Sequence, residues 1–142
     1  AFAIAIDTSA SCDAVLVRRF LEEVYGILST QENFFRKMKA VFFQCDCCLQ
    51  DKAVITNREQ WLSYGRNIKI KGRGGTDFTP VFREIEAMRA RGELPRPRAL
   101  LYFTDGDGYY PHKPDYETVF VLAGPQKHPE LVPKWAKTLV LE

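Results

Sequence analysis

Apolar residues fall along this chain in two rhythms. Short unbroken runs alternate with stretches in which they recur every three or four positions. Phe2-Ala3-Ile4-Ala5-Ile6 is the first run, and it reads as a strand buried on both faces. Val17, Phe20, Leu21, Val24, Ile27 and Leu28 follow at helical spacing within a helix from about Asp13 to Ser29, with Arg18, Arg19, Glu22 and Glu23 turned away. Ala40-Val41-Phe42-Phe43 begins a second strand that runs on toward Asp46. A turn around Leu49-Gln50-Asp51 leads to a short third strand, Ala53-Val54-Ile55, and so short a link predicts an antiparallel hairpin. Residues 57–64 read as a short helix packing through Trp61, Leu62 and Tyr64. Arg66 to Lys71 alternates basic and apolar, as an exposed strand or extended segment with its isoleucines inward. A second long helix has Thr79 as its cap, Pro80 in its first turn and Val81, Phe82, Ile85 and Met88 as its buried stripe; Gly92 marks its end. Strands at Ala99–Phe103 and Thr118–Leu122, a helical turn within 129–134 and a last strand at 138–141 complete the pattern. Strands alternating with helices predict an α/β fold: an open, mostly parallel sheet with one antiparallel edge strand and helices on both faces.

At 142 residues and 46% apolar content, the chain is one domain, 1–142, with ample core. A net charge of +2 from nearly balanced acids and bases makes no case for nucleic acid or a membrane surface. Arg66, Lys69, Lys71 and Arg73 accordingly read as a solvated face rather than a nucleic-acid patch. No apolar stretch approaches the roughly 20 residues that span a bilayer. The opening apolar run is too short for a signal peptide and lacks a basic flank. Because Ala1 already falls in the first strand, the chain is expected to be a domain from a longer polypeptide.

Of the cysteines, Cys45, Cys47 and Cys48 crowd together and Cys12 stands apart, which is poor geometry for a disulfide framework. A zinc site would need a second paired cluster, and only His112 and His128 supply imidazoles. Reduced, mostly buried thiols in a cytoplasmic protein are the expectation. Both histidines sit among polar loop residues and read as surface groups.

The candidate chemistry lies where the first strand ends. Asp7, Ser9 and Ser11 are spaced by two, so an extended or gently turning backbone can aim all three oxygens one way. One carboxylate and two hydroxyls suit a hard cation such as magnesium. Two later stretches are suitable further donors: the glycine-rich Gly74-Gly75-Thr76-Asp77, and Thr104-Asp105-Gly106-Asp107-Gly108 after the fourth strand. The first lacks the Gly-Lys-Ser/Thr of a phosphate-cradling loop. The second fails as a calcium loop, because Tyr109 and Tyr116 stand where that loop needs oxygen ligands. Asp77 reads either as a carboxylate orienting Thr76 or a bound water, or as an acid at a helix amino end. Tyr109 and Tyr110 follow the last loop, either as exposed partner anchors or, the preferred reading, as rings packing a rigid turn.

Asp7-x-Ser9-x-Ser11, then Thr76, then Asp105, in this order and at strand ends or loops, resembles the metal-ion-dependent adhesion site (MIDAS) of von Willebrand factor A (VWA) domains. The wording Gly-Gly-Thr-Asp-Phe-x-Pro and Thr-Asp-Gly-x-Gly is most similar to the bacterial VWA-like domain at the carboxyl end of metallopeptidase-like proteins. The resemblance implies a three-layer, Rossmann-like open twisted sheet whose antiparallel edge is the third strand. It implies Asp7, Ser9, Ser11, Thr76 and Asp105 as ligands, direct or through water, of Mg2+ or Mn2+. It further implies recognition rather than catalysis: the cation takes an Asp or Glu carboxylate of a protein partner as its last ligand. A MoxR-type AAA ATPase is the first partner to consider. Arg73, Lys69 and Lys71 would steer an acidic partner weakly.

A magnesium-dependent hydrolase acting on phosphate esters is the competing class, and a metal-free scaffold the third. No histidine lies near the three motifs to act as general base, so Asp77 or Asp107 would have to serve. Neither a Gly-x-Ser-x-Gly elbow nor a His-Glu-x-x-His zinc motif is present. The chain is therefore expected not to be an enzyme itself.

Overall fold

A computed structural model describes residues 1–9, 14–28, 39–69 and 74–141. Its elements are β1 (Phe2–Asp7), α1 (Ala14–Leu28), β2 (Ala40–Cys45), β3 (Leu49–Ile55), α2 (Arg58–Asn67), α3 (Thr79–Ala90), β4 (Ala99–Thr104), β5 (Glu117–Leu122), a 3-10 turn (Pro129–Leu131) and β6 (Lys137–Val140). The strands form one sheet in the order β3-β2-β1-β4-β5-β6. Every neighbouring pair is parallel except β2 and β3.

β1 explains why the sheet has two covered faces. Its residues alternate small and large, and every position from Ala3 to Asp7 is buried. Ala3 and Ala5 point into a core with Phe78, Val81, Phe82, Ile85 and Met88 at and along α3. Ile4 and Ile6 point the other way, into a core with Val17, Phe20, Leu21 and Val24 of α1 and Trp61 of α2. The sheet is the middle of three layers, as the alternation of strands and helices predicts. Aromatic rings lock both outer layers to it. Phe42 meets Trp61 edge-on with centroids 4.9 Å apart, and Phe78 meets Tyr102 at 4.9 Å and Phe120 at 5.4 Å.

Several element bounds differ from those the pattern predicts. β3 begins at Leu49, so the turn is the tighter Asp46-Cys47-Cys48; Leu49 and Asp51 of the predicted turn are paired in the ladder, with Gln50 at a register shift between them. Their alternation of half-buried and exposed positions is that of an edge strand, and its polar side masks it in the sequence. α2 runs on to Asn67, which places Arg66 and Asn67 in a helix rather than an extended segment. Asn57 caps that helix by accepting a hydrogen bond from Gln60 N at 2.8 Å. Trp61 is its buried residue, whereas Leu62 lies on the solvent side. Ile68 is buried as expected; Ile70 and Lys71 lie outside the described residues. At α3 Thr79 is the first helical residue rather than the cap, which is Phe78; Thr79 N donates to Asp77 Oδ1 at 2.9 Å. Gly92, at φ +73°, ends the helix in the left-handed region that glycine tolerates.

Truncating Phe42 tests which contacts carry the fold. It is 1% exposed and packs against both Trp61 and Tyr64 of α2. Phe42→Ala is expected to lower unfolding stability by about 3–5 kcal/mol in a urea melt.

Candidate functional site

β1 and β4 lie side by side and parallel, but the chain leaves them toward opposite halves of the sheet. In an open α/β sheet the crevice at such a point, beyond the carboxyl ends of the strands, is where ligands bind. Asp7 ends β1, and Thr104 ends β4 with Asp105 directly after it. The third contribution comes from the loop that enters α3. Ser9, Gly74, Gly75, Thr76, Asp105, Asp107, Gly108 and Tyr109 together line a single open cleft of about 610 Å³. Segments far apart in sequence thus meet around one space.

Asp7 is not itself in the lining but lies buried beside it, bonded to Ser9 and close to Asp105. It is 4% exposed, and each carboxylate oxygen already accepts a hydrogen bond: Oδ1 from Ser9 N at 2.9 Å, Oδ2 from Thr104 Oγ1 at 2.6 Å. Burial pushes its carboxyl above the usual carboxylate range. The bonds from Thr104 and Ser9 offset part of that, and the neighbouring Asp105 carboxylate adds to it. Asp105 is half-buried; its Oδ1 accepts from Asp107 N at 3.0 Å, and its carbonyl accepts from His128 N at 2.8 Å. Ser9, Thr76 and Asp105 share the cleft, Asp7 holds Ser9 N beside it, and Ser11 and Arg73 lie outside the described residues. Asp77 is seen at the amino end of α3, where its carboxylate holds Thr79 N.

Asp46 is the residue that pattern reading passed over. It is buried at the end of β2, as Asp7 is at the end of β1. Its Oδ1 accepts from Cys48 N and from Gln50 Nε2, both at 3.0 Å, and its Oδ2 accepts from Gly74 N at 2.9 Å. Its carbonyl accepts from Asp77 N at 3.0 Å. One residue therefore ties the end of the sheet to both sides of Thr76. Burial works against its charge, yet the bonds from Gln50, Cys48 and Gly74 together hold its carboxyl below the usual range. A β-carbon on Gly74 would come within 2.9 Å of Asp46 Oδ2, so this approach needs glycine. The only signal in the sequence was an acid at the end of a predicted strand, set off from the apolar run by Gln44 and Cys45 and so weaker than the one that picks out Asp7.

The tyrosines divide the two readings between them. Tyr110 packs on Phe78 and Phe120, with its hydroxyl donating to the Gly106 carbonyl. Tyr109 is 77% exposed on the cleft rim, although its carbonyl accepts from Phe78 N and so fixes its backbone. Cys45 is buried, donates to the Asp46 and Asp77 carbonyls, and has its thiol pushed up to about 12 by burial. Cys47 and Cys48 are exposed, contrary to the expectation of mostly buried thiols, because the tight turn projects them beyond the sheet; Cys12 lies outside the described residues. His112 is exposed, while His128 does have a carboxylate beside it, its Nδ1 lying 3.1 Å from Glu130 Oε1.

Among the described residues no three His, Cys, Asp or Glu side chains gather into a metal-holding group. A cation in this cleft would have to use hydroxyls beside carboxylates. The donors present, Asp7, Ser9, Thr76 and Asp105, are all oxygens, as a hard cation requires and a soft one does not. A buried acid beside a second acid is also a place where positive charge relieves repulsion.

A mostly parallel α/β sheet with one antiparallel edge, helices on both faces and a polar cleft at its switch point defines the class. The chain belongs to the VWA-like domain family (DUF2201), which its sequence matches over residues 2–142. No curated protein matches the sequence. Two similar solved structures are an aerotolerance-related membrane protein from Bacteroides fragilis NCTC 9343 (TM-score 0.59, 14% identity over 85% of this chain) and the conserved hypothetical protein BatB from Bacteroides thetaiotaomicron (TM-score 0.62, 13% identity over 85%). At such identity the likeness is one of fold. The matches span 66% and 65% of those chains, a little under two thirds of their length. Among the described residues no helix is long and apolar enough to cross a membrane.

The Asp46 bridge generates a direct test. Asp46→Asn replaces one acceptor oxygen by a donor and is expected to speed amide exchange at Gly74 and Asp77 and to cost roughly 1–3 kcal/mol of stability. Because the folded carboxyl titrates below its ordinary 3.8, this contribution is held above that pH and lost as pH falls through the folded value. Acid melts of the wild type should show that loss, and melts of the variant should lack it.

Proposed function

We propose that this domain is a divalent-cation-dependent protein-recognition module of the MIDAS kind. Asp7, Ser9, Thr76 and Asp105, with Ser11 added from the resemblance, would hold Mg2+ or Mn2+, and Asp77 would steady the Thr76 loop from behind. The observation that carries the reading is the convergence of Ser9, Thr76 and Asp105 on one cleft, with the buried Asp7 bonded to Ser9. When bound, the cation supplies a coordination position for an Asp or Glu carboxylate of a partner protein. The chain's own residues do the rest. Thr104 and Ser9 N hold the Asp7 carboxylate in one orientation, Asp46 holds the Thr76 loop against the sheet, and Tyr109 offers an aromatic face at the rim.

Recognition is favoured over phosphate-ester hydrolysis because no histidine is among the cleft-lining residues to serve as general base. In this reading the domain works in the cytoplasm, at the carboxyl end of a metallopeptidase-like protein whose chemistry lies elsewhere. A MoxR-type AAA ATPase remains the first partner to try. Both points rest on family resemblance.

Asp105→Ala is the cleaner probe of the site. Removing Asp7 would also leave the Thr104 hydroxyl and Ser9 N without their acceptor. Calorimetry with Mn2+ or Mg2+ is expected to show binding at or below millimolar levels in the wild type and none in Asp105→Ala, with circular dichroism unchanged. Absence of binding to the wild type would leave the metal-free scaffold as the better reading. A pull-down with and without EDTA, comparing the wild type with Asp105→Ala, then tests the partner.

A further inference from the structure

α1 and α2 lie on one face of the sheet and leave between them a groove of about 510 Å³, lined by residues of both helices. Tyr25 of α1 meets Trp61 of α2 with ring centroids 6.3 Å apart. On the α2 wall stands Gly65, inside the helix, where glycine is less stable than alanine. Neither a left-handed backbone nor a crowded neighbour calls for it, since a β-carbon there would meet nothing within 4 Å. The missing side chain leaves room for a second body to approach the α2 backbone. On α1, Val15, Arg18, Glu22 and Tyr25 form a stripe at spacings of three and four. Val15 is 71% exposed, and Arg18 and Glu22 are exposed with it. Arg19 and Glu23 pair along the helix at 3.3 Å, whereas Arg18 and Glu22 form no ion pair among the described residues.

The stripe is complementary to itself. When two copies of α1 lie antiparallel about a twofold axis at the level of Phe20, Arg18 of one faces Glu22 of the other, and Val15 faces Tyr25. Symmetry makes each pair occur twice. We propose that this chain forms a homodimer through α1, with α1 of each copy seated in the α1–α2 groove of the other. The charges fix the register. A slip of one helical turn sets Arg18 against Arg18 in one direction and Glu22 against Glu22 in the other, and a parallel arrangement sets like against like at both positions. The apolar contact of Val15 with Tyr25 covers the two ends of the stripe. The groove shares no lining residue with the oxygen-lined cleft, so the dimer carries two separate clefts.

The test is sedimentation velocity in EDTA over a concentration series, so that the cation reading of the cleft plays no part. The wild type is expected to dimerise, and less tightly as added salt screens the ion pairs. Arg18→Glu and Glu22→Arg each set like charges against one another at both symmetric contacts and should weaken dimerisation at least about tenfold. Both positions are exposed, so far-ultraviolet circular dichroism should confirm that the variants fold. Mixed in equal amounts, the two single variants restore opposite charges at both contacts and should pair with each other about as tightly as the wild type does with itself. A wild type that stays monomeric throughout the series, single variants that dimerise as tightly as the wild type, or a mixture that fails to pair would each overturn the proposal.

Discussion

The molecule depends on β1 having a parallel neighbour on each side. With β2 on one flank and β4 on the other, β1 has no open edge, and with helices over both faces its Ala/Ile alternation supplies each layer with the side-chain size it accommodates. The same pairing forces the following loops apart and opens the crevice between them. A carboxylate placed at the end of such a strand is necessarily buried. Asp7 is tolerated there because a hydroxyl from the adjacent strand and a backbone amide from its own turn take its two oxygens.

A second buried carboxylate does the corresponding work for the rim. Asp46 joins the end of β2, the β2–β3 turn and the glycine loop through four hydrogen bonds of its side chain and carbonyl. Beneath them Phe78 fills the space between α3, β4 and Tyr110, so that loop and helix start share one aromatic support. The polar surface of the cleft and the apolar layer under it are consequently one unit. Movement of the Thr76 loop would break charge-assisted bonds and ring contacts together.

Much of this was legible in the residues. Unbroken apolar runs gave the strands, three-and-four spacing gave α1 and α3, and the short β2–β3 link gave the antiparallel edge. The cleft residues could be picked out because carboxylates and hydroxyls directly follow buried strands. What stayed hidden is tertiary in origin. β3 was read short because its outer half is polar on an edge, and Thr79 falls inside α3 rather than at its cap because the helix begins one residue earlier, with Phe78 at the cap. Asp46 carries no motif; its importance appears only when Gly74, distant in sequence, is placed beside it. Tyr109 and Tyr110 cannot be told apart by type; Tyr109 pairs with Asp77 in an isolated bridge, and on such extended backbone adjacent rings face opposite ways, one outward and one into the core.

Gly108 shows how closely the rim is fitted. A β-carbon there would stand 2.7 Å from Thr76 Cγ2 and 2.9 Å from the Phe78 ring. The loop after β4 and the loop before α3 therefore interlock like key and ward, with a missing methyl on one side making room for a present one on the other. Variation at either position is coupled to the other, so the width of the opening is inherited as a pair rather than tuned one residue at a time.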